Sequence, residues 1–135
     1  MEVGVEQARY VRFQGADRGG RDIHPGVFAL VNNLARAGRL TAEQELFRRI
    51  NNAWYDANYT NPTSVDPTVY DPAVNPGAVA WFKSSARHLI ERVDGYLEIL
   101  AAHGVAYRCL RSSDPGRIVY EDDDQVVAVP RPRPE

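Results

Sequence analysis

Apolar and polar residues alternate near the start of the chain. In residues 8–14 (ARYVRFQ), Tyr10 and Arg12 fall on one face of an extended chain, and Val11 and Phe13 fall on the other. This period of two predicts a β-strand. The following segment, GADRGGRD, is rich in glycine, which predicts a loop.

Two stretches with helical spacing come next. Pro25 suits the first position of a helix, where its missing N–H costs nothing, and Gly38 ends that helix. Thr41, with Gln44 three residues later, predicts a capping box at the start of a second helix. The predicted buried faces are Val27, Phe28, Leu30, Val31, Leu34 and Ala35 in the first helix and Leu46, Phe47, Ile50 and Trp54 in the second. Together they predict a helical hairpin.

Residues 58–75 differ from the rest of the chain. They contain Asn61-Pro62 and two Asp-Pro pairs, end at the asparagine of Asn75-Pro76, and are rich in tyrosine and valine. A residue before proline is pushed out of the α region, so this segment is not predicted to be helical. We expect an ordered, packed loop with these side chains as its anchors: Tyr59, Val65, Val69, Tyr70 and Val74.

A long helix is predicted to begin at Asn75-Pro76. Its apolar residues recur at steps of three and four, which is typical of a helix that faces a core: Val79, Phe82, Ala86, Leu89, Val93, Leu97 and Leu100. Asp94-Gly95 would kink or split this helix, and Gly104 would end it in a left-handed conformation.

Three strands are predicted in the remaining residues, at 105–111, Arg117–Glu121 and Gln125–Val129, with turns at 112–116 and 122–124. Prolines at alternate positions in residues 129–135 predict an extended or disordered tail. These elements predict an α+β fold in a single domain, residues 1–135. The sheet would have about four antiparallel strands, one N-terminal strand plus a C-terminal three-strand meander, with three or four helices packed on one face.

Composition excludes several classes of function. The hydrophobic fraction of 44% and charged fraction of 25% are ordinary for a globular protein, and the formal net charge is −2. Nucleic acids and anionic membrane surfaces are therefore not expected as partners. Neither a secretory signal nor an apolar span long enough for a membrane is visible, so the expected location is cytoplasmic. Arginine almost replaces lysine, which indicates a GC-rich genome such as that of an actinobacterium.

Metal and cofactor sites are not expected either. Cys109 is the only cysteine and is predicted to be a small core residue on a strand. His24, His88 and His103 lack the spacing of metal ligands, and no nucleotide-binding fingerprint is present. His103, beside Gly104, is expected to interact with a helix dipole.

The strongest candidate for a ligand site is a set of aromatic and polar residues around the long loop. Tyr and Trp combine apolar bulk with a hydrogen-bonding tip, which suits a pocket or an interface. The alternative is that these residues only pack in the core and hold the loop. The set comprises Trp54, Tyr55, Asp56, Tyr59, Tyr70, Trp81 and Lys83.

Weaker candidates for catalysis lie in the predicted long helix. Ser84 and His88 are four residues apart, so they would share one helix face, as a serine nucleophile and its base require. The alternative is a solvent-exposed polar face, since no Gly-x-Ser-x-Gly turn is present.

Two further segments have both a functional and a structural interpretation. The acidic run from Glu121 to Asp124 would either hold a divalent cation or form a solvated turn. The loop from Gly15 to Arg21 would either bind an anion through Arg18 and Arg21 or serve as an ordinary connection.

Three residue types occur in an order that resembles ADP-ribosyltransferases of the Arg–Ser–Glu type. These are Arg12 on an early strand, Ser84-Ser85, and Glu121 late in the chain, with Ala86 where the family has its final serine. The resemblance covers only these few residues. It implies an NAD-dependent transferase activity.

Three classes of function follow from the sequence. The first is a binding module that uses residues 55–76 and the adjacent helix ends to hold a small polar molecule or a protein partner. The second is a small enzyme, with Arg12, Asp56, Ser84, His88 or Glu121 among its polar groups. The third is a structural or oligomer-forming protein, and the exposed strand edges leave a homodimer open.

Overall fold

The structure, a computed structural model, describes residues 8–18 and 23–131. Strands and helices in these residues confirm the predicted α+β class. In chain order they are β1 (Tyr10–Gly15), α1 (Val27–Arg36), α2 (Ala42–Asn58), β2 (Val79–Lys83), α3 (Arg87–Glu91), α4 (Val93–Ala102), β3 (Tyr107–Ser112), β4 (Arg117–Glu121) and β5 (Gln125–Val129), with a short 3-10 helix at Pro62–Ser64.

The sheet has five strands in the order β3-β1-β2-β5-β4. The central strand pairs, β1 with β2 and β2 with β5, are antiparallel. Tyr10 lies opposite Lys83, and Val79 lies opposite Ala128. β4 and β5 form the predicted hairpin. The predicted three-strand meander is wrong, because β3 lies at the other edge of the sheet, beside β1.

The additional strand, β2, lies where the sequence predicted the start of a long helix. Residues 79–83 (VAWFK) are β-branched and aromatic, and the structure pairs them with β1 and β5. The helical region begins only at α3 and is divided from α4 at Arg92. A short apolar run fits both periods, so its neighbours in the fold decide its conformation. Here β1 and β5 supply hydrogen-bond partners for the backbone of residues 79–83.

The described residues form two compact units. Unit 1 lies within residues 1–12, 61–87 and 110–135, and unit 2 lies within residues 13–60 and 88–109. The single domain expected from the sequence stays a prediction.

The core of unit 1 is built on β5, which is buried at all five positions. Its sequence, QVVAV, supplies apolar side chains to both faces of the sheet. One face packs Val127 and Val129 against Val69 and Ala78. On the other face, Trp81 packs with Val126 and Ala128.

The proline-rich segment of unit 1 is held by a few contacts. Val69 is fully buried, and Nδ2 of the buried Asn75 donates to the carbonyls of Thr68 and Val69 at 3.3 and 3.1 Å. Val65 and Val74, which were predicted to be anchors, are 63% and 51% exposed. The segment is therefore held by the side-chain amide of Asn75 and by Val69, and not by Val65 or Val74.

Unit 2 contains α1, α2 and α4, which contact one another. Aromatic rings fill its centre, since Phe28 meets Tyr55 and Tyr96 edge-on at centroid distances of 5.0 and 4.8 Å. The predicted capping box of Thr41 and Gln44 is present, with bonds of 3.1 and 3.0 Å. Gly104 ends α4 with a positive φ of 69°, as expected.

The predicted buried face of α2 is wrong at two positions. Leu46 and Ile50 are 58% and 56% exposed, whereas Asn51 and Tyr55 are buried. Asn51 is satisfied there, because Nδ2 donates to the Phe47 carbonyl at 2.9 Å and Oδ1 accepts from Arg92 at 2.7 Å. Periodicity could not choose the buried face, since both faces of α2 carry apolar residues.

Candidate functional site

Unit 1 contains a cavity of about 420 Å³ at the end of β2, which we call the β2-end pocket. It combines cationic, hydroxyl, aromatic and carboxylate groups. The lining residues are Ala8, Arg9, Tyr10, Lys83, Ser84, Ser85 and Glu121. Three of the sequence candidates, Lys83, Ser84 and Glu121, thus meet in one place.

Pairing between β1 and β2 builds one wall of this pocket. Tyr10 and Lys83 are directly opposite in the antiparallel register. Beyond the strand end, the N–H of Ser84 donates to the carbonyl of Arg9 at 2.8 Å, and Oγ of Ser84 donates to the carbonyl of Ala8 at 2.6 Å. These two bonds extend the pairing of β1 and β2 beyond the strand ends and fix the turn that carries Ser84 and Ser85.

An ion pair forms the other wall. Nζ of Lys83 lies 2.6 Å from Oε2 of Glu121, and the two side chains are 24% and 54% exposed. Glu121 is paired with Val126 on β5, and the N–H of Lys83 donates to the carbonyl of Asp124. The ion pair therefore reaches from β2 to β4 across the beginning of β5.

Glu121 changes the acid–base properties of Lys83. The hydrogen bond that Lys83 donates to the Glu121 carboxylate raises the pKa of Lys83 above 10.5, and desolvation opposes this shift. Lys83 is therefore a permanent cation under ordinary conditions. Its positive charge can pair with a ligand anion. In the structure, the Glu121 carboxylate occupies the position that such an anion would take.

The lining favours negatively charged ligands. Arg9 and Lys83 contribute two positive charges and Glu121 one negative charge, a net charge of +1. The hydroxyls of Ser84 and Ser85 add groups that can donate to an oxygen. The lining residues that the structure describes include no histidine, and Ser84 donates to a main-chain carbonyl. The arrangement thus has groups for holding an anion, and the hydroxyl of Ser84 is already bonded to the main chain.

Four residues of the predicted aromatic site lie in unit 2. The hydroxyl of Tyr55 donates to the carbonyl of Leu89 at 2.6 Å, and the side chain is buried. Tyr59 meets the Tyr55 ring edge-on at 6.2 Å. Tyr55 is therefore a core residue with its polar group already bonded. Trp54 is half-buried and Asp56 is exposed.

Trp54 takes part in a separate cluster in unit 2. The guanidinium of Arg92 lies 4.0 Å from the centre of the Trp54 ring and also donates to Asn51. The ring of His88 meets Trp54 edge-on at 6.3 Å. A cation over an indole face stabilises the local packing of α2 with the start of α4.

The other three predicted aromatic-site residues, Tyr70, Trp81 and Lys83, lie in unit 1. Tyr70 is 40% exposed, whereas Trp81 is only 9% exposed and packs in the sheet core. Nε1 of Trp81 is buried, with no hydrogen-bond partner among the described residues. Of the three, only Lys83 lines the β2-end pocket.

The predicted pairing of Ser84 and His88 on one helix face does not form. Ser84 lies in the turn after β2, and His88 lies in α3. The alternative, a polar face of the same helix, is wrong for the same reason. Arg12, the remaining catalytic candidate, donates through Nη1 to the carbonyl of Ala80 at 3.0 Å.

The acidic run forms a closed turn. Asp122 accepts hydrogen bonds from the N–H groups of Asp124 and Gln125 at 2.9 and 3.0 Å and from the Tyr120 hydroxyl at 2.7 Å. Burial opposes ionisation of Asp122, but these bonds outweigh it and lower its pKa. Within residues 8–18 and 23–131, no three His, Cys, Asp or Glu side chains converge as metal ligands do.

Three other sequence predictions concern Cys109, the anion loop and the C-terminal tail. Cys109 is exposed on β3, so its predicted place in the core is wrong, because β3 is an edge strand. Residues 19–21 of the predicted anion loop, including Arg21, and residues 132–135 of the tail lie outside the described residues.

The sequence did not indicate Arg9 or Tyr10 as residues of a ligand site, whereas Ser85 entered only through the ADP-ribosyltransferase resemblance. Tyr10 lies on a predicted strand, but its neighbour on the pocket wall comes from β2, which the sequence did not predict.

Comparison with known proteins gave no match to a family model, to a curated protein or to a solved structure. Of the helices that the structure describes, none has the length and apolar character needed to cross a membrane.

Proposed function

We propose that this chain is a binding module that holds a small anionic ligand, a carboxylate or a phosphate, in the β2-end pocket. The observation that supports this proposal most directly is the ion pair of Lys83 and Glu121 in a cavity beside Arg9. A ligand anion takes the place of the Glu121 carboxylate on Lys83, and Arg9 supplies the second positive charge. The hydroxyl of Ser85 is exposed and bonds a further ligand oxygen.

Exchange of one carboxylate for another anion costs little in this pocket. Glu121 is about half exposed, so its carboxylate is solvated when it leaves Lys83. Ion pairs of this kind contribute only about 0–1 kcal/mol to stability. A phosphate or carboxylate that contacts both cations gains more than Glu121 loses.

Calorimetric titration with inorganic phosphate, and separately with acetate, tests this proposal. Saturable binding is expected for the wild-type chain and a loss of at least about tenfold in affinity for Lys83→Met. Arg117→Met is the matched control, since Arg117 is an exposed cation on β4 outside the pocket lining. Equal affinity of the wild type and Lys83→Met would overturn the proposal.

A protein partner is the second form of the binding function. In the proline-rich segment of unit 1, Val65, Tyr70 and Val74 expose 63%, 40% and 51% of their surfaces. Large apolar side chains held outward by an ordered backbone suit a contact surface. Replacing Tyr70 with Ala, with Tyr107→Ala as the exposed control, should remove partner capture without loss of the fold.

An NAD-dependent transferase is the alternative in the enzyme class. One observation favours it: Ser84, Ser85 and Glu121, which carry most of the resemblance, line the same pocket. A ligand that binds only the native state raises its melting temperature. A melting temperature unchanged by millimolar NAD would reject this alternative and leave anion binding untouched.

A further inference from the structure

The helix α2 carries a continuous line of exposed apolar residues, which we call the α2 stripe. Its members are separated by steps of four, four, three and four residues, so they lie on one helix face. They are Ala42, Leu46, Ile50, Ala53 and Ala57. Leu46 and Ile50 are the largest of them and are 58% and 56% exposed.

This stripe is distinct from the face that α2 uses within unit 2. Asn51 and Tyr55 provide that inner face and are buried. Single exposed apolar residues are normal on a protein surface, but a line along four turns of one helix is the pattern of a helix that packs on both sides. A second apolar surface packed on this line would bury Leu46 and Ile50.

We infer that a second copy of this chain covers the stripe, with the two α2 helices antiparallel. In an antiparallel pair centred between Asn51 and Asn52, Leu46 lies opposite Ala57 of the second copy, and Ile50 lies opposite Ala53 of the second copy. Each large side chain thus faces a small one. This alternation lets the two helices approach closely with their surfaces interdigitated.

The charges beside the stripe fit the same register. Arg49 and Asp56 are exposed and lie on the same side of the stripe. A two-fold axis places the same side of both α2 helices together. Arg49 of each copy therefore lies about two residues, or about 3 Å along the helix axis, from Asp56 of the other. Two symmetric ion pairs form. The next carboxylate on this side, Glu45, is already bonded to Arg48 at 2.7 Å.

The size of the contact sets the expected strength. One pair of helices of this length forms an interface at the low end of the specific range, below about 1,200 Å² in total. We therefore expect a dimer that dissociates on dilution in the micromolar range. This inference is independent of ligand binding in unit 1.

Sedimentation velocity over a dilution series of the full chain tests the inference. A reversible monomer–dimer equilibrium is expected, and Leu46→Glu should weaken it by at least about tenfold. Ile118→Glu is the matched control, because it also places a carboxylate at an exposed apolar position but in unit 1. A chain that is monomeric at all concentrations up to about a hundredfold above the micromolar range would contradict the inference.

Charge reversal tests the antiparallel register. Arg49→Asp or Asp56→Arg alone places like charges together and should weaken the dimer, whereas the double variant should restore it to near the wild-type affinity. Both positions are exposed, so circular dichroism should show an unchanged fold. Failure of the double variant to recover dimerisation would overturn this register, and a dimer insensitive to Leu46→Glu would overturn the surface.

Discussion

The ammonium group of Lys83 lies 2.6 Å from the carboxylate of Glu121, although the strands that carry them are not neighbours. β5 lies between β2 and β4, and strands separated by one other strand are about 10 Å apart. Only long side chains can bridge that distance above the sheet. This geometry leaves space beside the ion pair, and the β2-end pocket occupies it.

Glu121→Gln should strengthen anion binding. The amide leaves Lys83 without a competing carboxylate, so the affinity for phosphate is expected to rise by several-fold in calorimetry. The pKa of Lys83 should fall towards 10.5, because the hydrogen bond that raises it is weakened. The free energy of unfolding should change by no more than about 1 kcal/mol, since the pair is partly exposed. Weaker phosphate binding in this variant would mean that Glu121 helps to hold the ligand.

Tyr55→Phe should destabilise unit 2. The hydroxyl of Tyr55 donates to the Leu89 carbonyl at 2.6 Å in a buried position, so the variant leaves that carbonyl without its partner. We expect a loss of about 1–2 kcal/mol in the free energy of unfolding, measured by urea denaturation. Tyr107→Phe serves as the control, because Tyr107 is 37% exposed and should change stability by less than about 0.5 kcal/mol. Equal stabilities of the two variants would contradict the assignment of Tyr55 to the core.

Buried tyrosines should make unit 2 sensitive to alkali. Burial raises the pKa of Tyr55 and of Tyr96 well above their ordinary value of 10.0. A raised folded-state pKa means that the neutral form stabilises the native state fully below pH 10.0, and this contribution is lost as the pH rises towards the folded-state values. Urea denaturation at a series of pH values should show a steep fall in stability above pH 10.0. Tyr55→Phe/Tyr96→Phe should reduce the slope of that fall, and an unchanged slope would assign the fall to other groups.

Gly95→Ala should destabilise α4. Alanine normally favours a helix over glycine by about 1 kcal/mol. At this position, however, a Cβ would collide with the ring of Phe47, which is packed edge-on against Tyr96 at 5.2 Å. Overpacking of this kind costs about 1–3 kcal/mol, so the net effect should be a loss of stability in thermal denaturation. Glu98→Ala, at an exposed position of the same helix, should be nearly neutral, and a gain of stability in Gly95→Ala would show that the ring moves freely.

Local signals in the sequence predicted part of the fold well. The capping box of Thr41 and Gln44, the glycine that ends α4 and the hairpin of β4 and β5 depend on neighbouring residues, so a short window contains the information. Strand β2 was missed because VAWFK fits a helical and a strand period equally. Its conformation depends on β1 and β5, which are distant along the chain.

The candidate site was only partly predictable for the same reason. Lys83 is recognisable in the sequence as a polar residue near an aromatic segment, but its partner Glu121 is 38 residues further along the chain, on a strand that is not paired with β2. Arg9 has no local signature at all. The aromatic residues were conspicuous in the sequence, yet Tyr55 and Trp81 are used for packing.

Lys83 is the only lysine of the chain, so its side chain gives a single signal in nuclear magnetic resonance after lysine-selective labelling. Titration of that signal with inorganic phosphate measures anion binding at the proposed site itself. The account predicts a saturable shift of the Lys83 side-chain signal, which should persist in Arg117→Met and increase in affinity in Glu121→Gln. A Lys83 signal that stays unmoved at saturating phosphate and acetate would contradict the central claim.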